Sequence, residues 1–195
     1  MNKIIDYIIN MMPYMLISLP IIILIRIIIY KTNKRREMNW THEITFLLFF
    51  LFMIGLSSQT FMPKFEIGTD GSLSVIKNTF SEMNLVPFKV FFDTYNEVFI
   101  NGYINYFIIN FLGNIIMFMP IGFFIPLLWK ISNKKVILIG LSYSLLVEFS
   151  QLFLARGTDI DDLWLNTLGT FLGLLLYKLF SKMFCKFTSK VKLSN

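Results

Sequence analysis

Polar and ionisable side chains interrupt a strongly apolar stretch that runs from Glu148 to Gly173. Ionisable groups are costly to bury among apolar residues, so their presence there indicates a functional site by default. Carboxylates in such a place can exchange protons, hold a cation, or bind a ligand that carries positive charge or amide N–H groups. The polar residues that we single out are Glu148, Gln151, Arg156, Asp159, Asp161, Asp162 and Asn166.

A second polar pattern precedes that stretch, in the motif Asn110-x-x-x-Asn114, which is followed by Pro120 and Gly122. A spacing of four puts both asparagines on one face of a helix. Pro120 is predicted to kink that helix and to free a backbone carbonyl one turn earlier, near Ile116. A kinked helix with a polar face is expected to pack against polar partners.

Composition identifies the environment that must position these residues. Of the 195 residues, 55% are hydrophobic, 22 are Phe and only 15% are charged, which is typical of an integral membrane protein. The net charge of +6 is distributed between the apolar runs and does not indicate a nucleic-acid surface. The single histidine, His42, and the single cysteine, Cys185, exclude a multi-histidine metal site and an internal disulfide. We therefore expect one membrane domain, residues 1–195.

Five apolar runs predict an all-α protein with five transmembrane helices. A run of about 20 residues, at about 1.5 Å per residue, crosses about 30 Å of hydrocarbon. The first run is interpreted as a permanent helix, because no small-x-small cleavage motif follows it and Ala155 is the only alanine. Arg26 is expected to extend from it to the membrane interface. The predicted helices are 7–30, 44–60, 104–129, 136–154 and 163–180, and the first two form a segment of residues 7–62.

The lysines and arginines between the runs predict the orientation. They concentrate in residues 31–36, 130–135 and 178–192, which are expected to be cytoplasmic by the positive-inside rule. This orientation places the N-terminus outside and the C-terminus in the cytoplasm. It also makes residues 63–103 a long outer loop between the second and third helices.

Two parts of this loop carry local patterns. Residues 65–76 alternate apolar and polar side chains around Thr69-Asp70-Gly71, which predicts a small β-hairpin. Residues 84–98 mix aromatic with charged side chains and predict an amphipathic or partly re-entrant segment on the outer leaflet.

The predicted orientation also gives each polar residue a depth below the outer membrane surface. At about 1.5 Å per residue, Asn110 and Asn114 lie about 9 to 15 Å deep, Glu148 about 10 Å, and Gln151 and Asn166 about 6 Å. Facing lipid would cost these groups several kcal/mol, so we expect them to face one another in an outward-facing polar pocket. The predicted pocket residues are Asn110, Asn114, Glu148, Gln151, Arg156, Asp159, Asp162 and Asn166.

Some of these residues also have structural interpretations. Thr158 or Asp159 can cap the last helix, with Asp161 or Asp162 three residues later completing a capping box. The glycines of Gly169-x-x-x-Gly173 favour close approach of helices over ligand contact. The amide side chains can serve as interhelical hydrogen-bond partners, each worth about 0.6 kcal/mol.

Several short motifs follow one another along residues 84–177. They are Asn84-Leu-Val-Pro-Phe, Asn110-x-x-x-Asn114 with Phe118-x-Pro120-x-Gly122, Glu148-x-x-Gln151, Arg156-x-x-Asp159-x-x-Asp162 and Asn166-x-x-Gly169-x-x-x-Gly173. In this ordered combination they resemble the VanZ-like family. The resemblance implies a multi-pass protein of the bacterial cytoplasmic membrane, similar to proteins associated with resistance to teicoplanin and related lipoglycopeptides. It implies no particular reaction.

Glu148 is the residue for which a functional role is favoured, because Arg156 alone cannot neutralise the four carboxylates of this stretch. Three mechanisms stay open. In the first, the pocket binds a cationic or amide-rich group of a cell-envelope ligand. In the second, Glu148 is the general acid or base of a membrane-embedded enzyme that acts on a lipid or lipid-linked precursor. In the third, a hard cation such as calcium or magnesium is held by Asn110, Glu148, Asp159, Asp162 and Asn166.

The expected partners are membrane lipids together with a lipid-linked cell-wall precursor or a lipoglycopeptide. No nucleic-acid partner is expected. The sequence identifies neither a cofactor, nor a particular metal, nor an oligomeric state.

Overall fold

Eight α-helices and two short strands make up the described part of the chain in a computed structural model. The described residues are 3–32, 38–61, 65–67, 73–75, 84–153 and 158–192. The helices are α1 Lys3–Thr32, α2 Trp40–Thr60, α3 Lys89–Tyr95, α4 Ile104–Tyr106, α5 Gly113–Leu128, α6 Asn133–Phe153, α7 Ile160–Met183 and α8 Cys185–Val191. Two π-helical turns, Asn96–Ile100 and Phe107–Leu112, follow α3 and α4.

Five helical spans are long and apolar enough to cross a membrane, and they confirm the five predicted helices. They are Ile9–Thr32, Trp40–Thr60, Ile104–Leu128, Asn133–Leu152 and Ile160–Met183. The predicted orientation of these helices relative to the membrane stays a prediction.

The second span begins earlier than the apolar run alone predicts, because a polar cap extends it. Asn39 precedes α2, and its side-chain oxygen accepts a hydrogen bond from the backbone N–H of His42 at 3.3 Å. Capping side chains of this kind satisfy backbone N–H groups that have no partner inside the helix.

The third span is a composite of α4, the π-helical turn Phe107–Leu112 and α5. In a π-helical turn the backbone hydrogen bonds link residue i to residue i+5, which widens the helix locally. Asn110 lies inside this turn. Pro120 and Pro126 both lie inside α5, which continues through them. The kink expected at Pro120 and the freed carbonyl expected near Ile116 stay predictions.

The centre of the bundle is the contact between α5 and α7, where glycines bring two backbones together. A Cβ atom added at Gly169 would overlap the carbonyl group of Ile115, and one added at Gly173 would overlap that of Met119. Gly122 meets α7 in the same way, at the carbonyl of Thr170. The close approach predicted from the glycine spacing is therefore confirmed, since no larger residue fits these positions without movement.

The first helix packs against α2, to which a salt bridge joins it. Arg26 pairs with the carboxylate of Glu43, and the two side chains are 16% and 14% exposed. The expected extension of Arg26 to the membrane interface stays a prediction. The hydroxyl of Tyr30 donates to Glu43 at 2.8 Å, and the guanidinium of Arg26 lies 4.4 Å from the ring centroid of Phe46. Desolvation strengthens such charge pairs but makes either charge costly without the other.

The short helix α8 contacts the start of α2. Nδ1 of His42, a residue only 1% exposed, donates to the carbonyl oxygen of Val191 at 2.8 Å. Asn39 donates to the carbonyl oxygen of Lys190. These side chains provide partners for carbonyls at the end of α8, which otherwise lack them within the helix.

The connection between α2 and α3 contains the two strands of the predicted hairpin. β1, Phe65–Ile67, pairs antiparallel with β2, Leu73–Val75, so that Ile67 lies opposite Leu73. The predicted turn, Thr69-Asp70-Gly71, lies outside the described residues.

Candidate functional site

Asn84 joins the segment that precedes α3 to the start of α7. Its backbone N–H donates to the carbonyl of Thr158 at 2.9 Å, and its carbonyl accepts from the N–H of Ile160 at 3.0 Å. Its side-chain amide donates to Oδ1 of Asp159 at 2.8 Å. The same oxygen caps α7 by accepting from the N–H of Asp161 at 2.9 Å. Asp159 is therefore engaged in holding these two segments together.

The predicted cap on α7 is confirmed in part and corrected in part. Asp159 is the capping residue, as expected for Thr158 or Asp159. In a capping box the backbone N–H of the cap would bind an acidic side chain three residues later. Here that N–H donates at 3.0 Å to Oε2 of Glu148, which comes from α6. The carboxylate of Asp162 is therefore available for a different hydrogen bond.

Asp161 is fully buried, and its carboxylate accepts three hydrogen bonds. Backbone N–H groups of Phe88 and Val90 donate to it at 2.6 and 2.7 Å, and the indole N–H of Trp164 donates at 2.8 Å. Phe88 and Val90 lie at the start of α3, which has no side-chain cap of its own. Asp161 thus caps α3 from a different helix, with charge-assisted hydrogen bonds.

Phe88 is the one described non-glycine residue with a positive φ, at 64°. It occupies the third position of a turn closed by a 3.4 Å hydrogen bond from Lys89 N–H to the Val86 carbonyl, where glycine is normally favoured. A bulky residue in this conformation carries a strain of about 1–3 kcal/mol. The ring packs at 5.7 Å from that of Trp164, and the strained backbone directs its N–H to Asp161.

The helical segment that follows exposes an aromatic face. Phe92 is 73% exposed and Phe99 75%, and Tyr95 between them is also exposed. On its other side, Phe91 packs on Trp164 with the ring centroids 5.6 Å apart. The amphipathic or partly re-entrant segment expected for residues 84–98 on the outer leaflet stays a prediction.

Glu148 is only 6% exposed, and one of its two carboxylate oxygens accepts no hydrogen bond from a described residue. Oε2 accepts the hydrogen bond from Asp159, whereas Oε1 is buried and has no hydrogen-bond partner among the described residues. The hydroxyl of Thr158 is in the same condition. Buried polar atoms normally have a partner, so these two atoms indicate a position where a ligand or water supplies one.

Glu148 and Thr158 line a groove of about 580 Å³ on the exposed face of α6. The remaining lining is mainly apolar and exposed. It consists of Ser142, Leu145, Leu146, Phe149 and Leu152. The groove therefore combines hydrocarbon walls with a carboxylate oxygen and a hydroxyl, which suits an amphipathic molecule.

Asp162 binds α5 through Asn114. The side-chain amide of Asn114 donates to Oδ1 of Asp162 and also, at 3.2 Å, to the backbone carbonyl of Asn110. The side chain of Asn110 itself is exposed and makes no recorded hydrogen bond with another described residue. Of the two asparagines predicted in the pocket, the structure thus brings Asn114 to the carboxylates.

Asn166 continues the polar contact between α6 and α7. It is 3% exposed, and its amide donates to the hydroxyl of Ser144 at 2.9 Å, while its Oδ1 has no partner among the described residues. Ser144 was not predicted in the pocket. It lies four residues before Glu148, on the same face of α6, and that spacing is the signal that would identify it.

The other two predicted pocket residues are not joined to this network. Gln151 is half-buried on α6 and makes no recorded hydrogen bond with another described residue. Arg156 lies outside the described residues.

Four carboxyl groups lie close together at the site. Glu148, Asp159 and Asp161 lie close enough to Asp162 for their charges to repel it. Within the described ranges, the salt bridges are Arg26–Glu43 and Lys89–Asp93, so none neutralises these four carboxylates. A ligand that donates hydrogen bonds or carries positive charge would relieve this repulsion, whereas a phosphate would add to it.

A metal site receives no support from this arrangement. The described part of the chain contains no group of three or more His, Cys, Asp or Glu side chains placed to hold a metal ion. The oxygens of Asp159 and Asp161 accept hydrogen bonds from backbone and amide groups instead.

Comparison with known proteins gives one match. The sequence model of the VanZ/LLP1 family matches residues 17–181, which include about half of α1, all of α2 to α6 and nearly all of α7. No curated protein and no solved structure matches the chain.

Proposed function

Because the chain belongs to the VanZ/LLP1 family and has five helices able to span a membrane, we propose that it is a multi-pass protein of the bacterial cytoplasmic membrane that binds an amphipathic cell-envelope ligand. The ligand places an apolar chain in the groove on α6 and a hydrogen-bond-donating head at Glu148. The observation that carries this proposal is Glu148, which lines the groove and whose buried Oε1 has no hydrogen-bond partner among the described residues.

The site faces outward in this proposal. The lysines of residues 130–135 and 178–192 lie at the other end of α5, α6 and α7, and the positive-inside rule assigns that end to the cytoplasm. An outward-facing groove is accessible to envelope components and to antibiotics that reach the membrane from outside.

A lipoglycopeptide of the teicoplanin type fits these requirements, because it joins a hydrocarbon chain to a head rich in amide N–H and amine groups. Capture of such a molecule at the membrane is the way in which we expect this protein to contribute to resistance. The repulsion among the carboxyl groups around Asp162 favours this head over the phosphates of a lipid-linked precursor.

Binding of fluorescent teicoplanin to the full chain in nanodiscs tests the proposal. In Glu148→Gln, the carbonyl oxygen can still accept from Asp159, but an NH₂ group replaces the free acceptor. A charge-assisted hydrogen bond is worth about 1.5–3 kcal/mol, so we expect the Kd to rise about 10- to 100-fold. Glu97→Gln is the matched control at the same end of the protein, and it should leave the Kd unchanged.

The groove itself is tested with two leucines of α6 that are similarly exposed, Leu146 at 59% and Leu138 at 60%. Leu146 lines the groove and Leu138 does not. Leu146→Trp should weaken binding and Leu138→Trp should not. Saturable binding that neither Glu148→Gln nor Leu146→Trp weakens would exclude this site, and no saturable binding to the parent chain would reject teicoplanin as its ligand.

An enzyme that acts on a lipid or lipid-linked precursor is the second candidate, and the same free oxygen favours it. A general base needs a lone pair that is not already committed, and a general acid needs a proton on such an oxygen. Turnover of a lipid-linked precursor by the purified chain, abolished by Glu148→Gln without a change in Tm, would select this function over capture. Stoichiometric binding without product would reject it.

A further inference from the structure

A second cavity lies between α2, α5 and α6, near the turn that joins α5 to α6. Its volume is about 410 Å³, within the range of about 300–1,000 Å³ usual for ligand sites. It has a mainly aromatic and aliphatic lining, from Phe49, Phe50 and Met53 on α2 to Ile121 and Ile125 on α5. We call it the α2–α6 slot.

The two ends of the slot differ in character. Tyr143 lines it, and its hydroxyl is hydrogen-bonded to Ser57 at 2.9 Å, which links α6 to α2. At the opposite end the lining residues Trp129 and Ile131 flank Lys130. Between Ile121 and Trp129, α5 rises about 12 Å along the slot, a length that accommodates part of a hydrocarbon chain.

The basic end has no acidic partner in the described part of the chain. Lys130, Lys134 and Lys135 are exposed, and none of them forms a recorded salt bridge with another described residue. Basic pockets between transmembrane helices bind the head groups of anionic lipids, with about 1 kcal/mol of attraction per lysine near the surface. The charge at the mouth and the apolar lining thus fit the two parts of one molecule.

We propose that the α2–α6 slot binds one acyl chain of an anionic phospholipid, with its phosphate at Lys130, Lys134 and Lys135. The site lies at the other end of α6 from Glu148 and has the opposite charge preference. It is therefore independent of the envelope-ligand function proposed above, and either can fail without the other.

Fluorescence of Trp129 measures occupancy of the slot directly. The full chain with Trp40→Phe and Trp164→Phe keeps Trp129 as its single tryptophan. It is reconstituted in vesicles that contain equal fractions of brominated phosphatidylglycerol or brominated phosphatidylcholine. We expect the anionic lipid to be preferred at Trp129 by about fivefold or more at low salt, since one lysine alone contributes about fivefold. Equal quenching by the two lipids would overturn the proposal.

Two matched pairs of variants separate the slot from general surface attraction. Replacing Lys130, Lys134 and Lys135 by Gln should abolish the preference, whereas the same change at Lys182, Lys186 and Lys190 should leave most of it. Ile139→Phe partly fills the slot and should reduce the preference, whereas Leu138→Phe next to it should not. If both lysine triples reduce the preference equally, the slot does not select the lipid.

Discussion

The carboxylates of the candidate site differ in how many of their oxygens accept hydrogen bonds from described residues. Asp159 and Asp161 form the hydrogen bonds that hold the Asn84–Val90 segment to α7. Glu148 supplies one oxygen to this framework and keeps the other free. The chemistry of the site therefore depends most on Glu148, although all four carboxylates determine its charge.

Asp161→Asn is expected to destabilise the protein, because three N–H donors point at this carboxylate and an amide offers only one acceptor oxygen. Leaving N–H donors without an acceptor should cost about 1–3 kcal/mol and lower the Tm measured by thermal unfolding in detergent. Asp93→Asn is the control, since its salt bridge with Lys89 is partly exposed and worth about 0–1 kcal/mol. An equal decrease in Tm for both variants would contradict the role assigned to Asp161.

Sequence reasoning predicted Glu148, Asp159, Asp162, Asn114 and Asn166 as pocket residues, because polar groups in apolar helices are few and conspicuous. It could not show that Asp161 caps α3. That contact joins residues more than 70 positions apart, and helix spacing reports only neighbours three or four residues apart. Nor could it place the Asn110 side chain, since the π-helical turn around this residue alters the periodicity on which the prediction relied.

At the scale of elements, glycine decides how closely helices approach. Gly173→Ala should force α7 away from the Met119 carbonyl and cost about 1–3 kcal/mol. Gly113→Ala is the matched control, because its added Cβ would make only an ordinary 3.4 Å contact with the Ile108 carbonyl. Alanine favours helix by about 1 kcal/mol over glycine, so this second variant should be neutral or stabilising in the same unfolding measurement. Two similar destabilisations would contradict the packing described.

The first helix is joined to α2 by the Arg26–Glu43 salt bridge. Arg26→Met should cost about 3 kcal/mol, because it leaves the Glu43 carboxylate largely buried without its cation. The double variant Arg26→Met, Glu43→Met should recover most of that loss, since apolar residues of similar volume remove both desolvation costs. A double-mutant cycle on the Tm checks this, and additive losses would show that the two charges do not stabilise one another.

The sequence predicted α1 and α2 correctly as hydrophobic helices but not the charge pair between them. Arg26 near the end of an apolar run suggests a side chain that extends to the interface, and Glu43 near the start of the next run suggests the same. That they meet depends on how two adjacent helices are rotated about their axes. Periodicity alone does not determine this rotation when apolar residues surround the helix on all sides.

At the scale of the whole molecule, the two proposed sites lie at opposite ends of α6 and differ in charge. The acidic groove lies where α6 ends and α7 begins, and the lysine-flanked slot lies where α5 ends and α6 begins. The positive-inside rule predicts that the first faces outward and the second faces the cytoplasm. Capture of an antibiotic from outside therefore depends on this orientation of the bundle, whereas lipid binding in the α2–α6 slot does not.

Cys185 makes that orientation measurable, because it is the only cysteine and it is exposed. A membrane-impermeant maleimide should not label it in intact cells and should label it after permeabilisation. In a Cys185→Ser background, Asn101→Cys lies in an exposed position of the predicted outer loop and should be labelled without permeabilisation. The reverse pattern would place the C-terminus outside and turn the acidic groove toward the cytoplasm. Capture of an antibiotic arriving from outside would then be excluded, whatever the chain binds in vesicles.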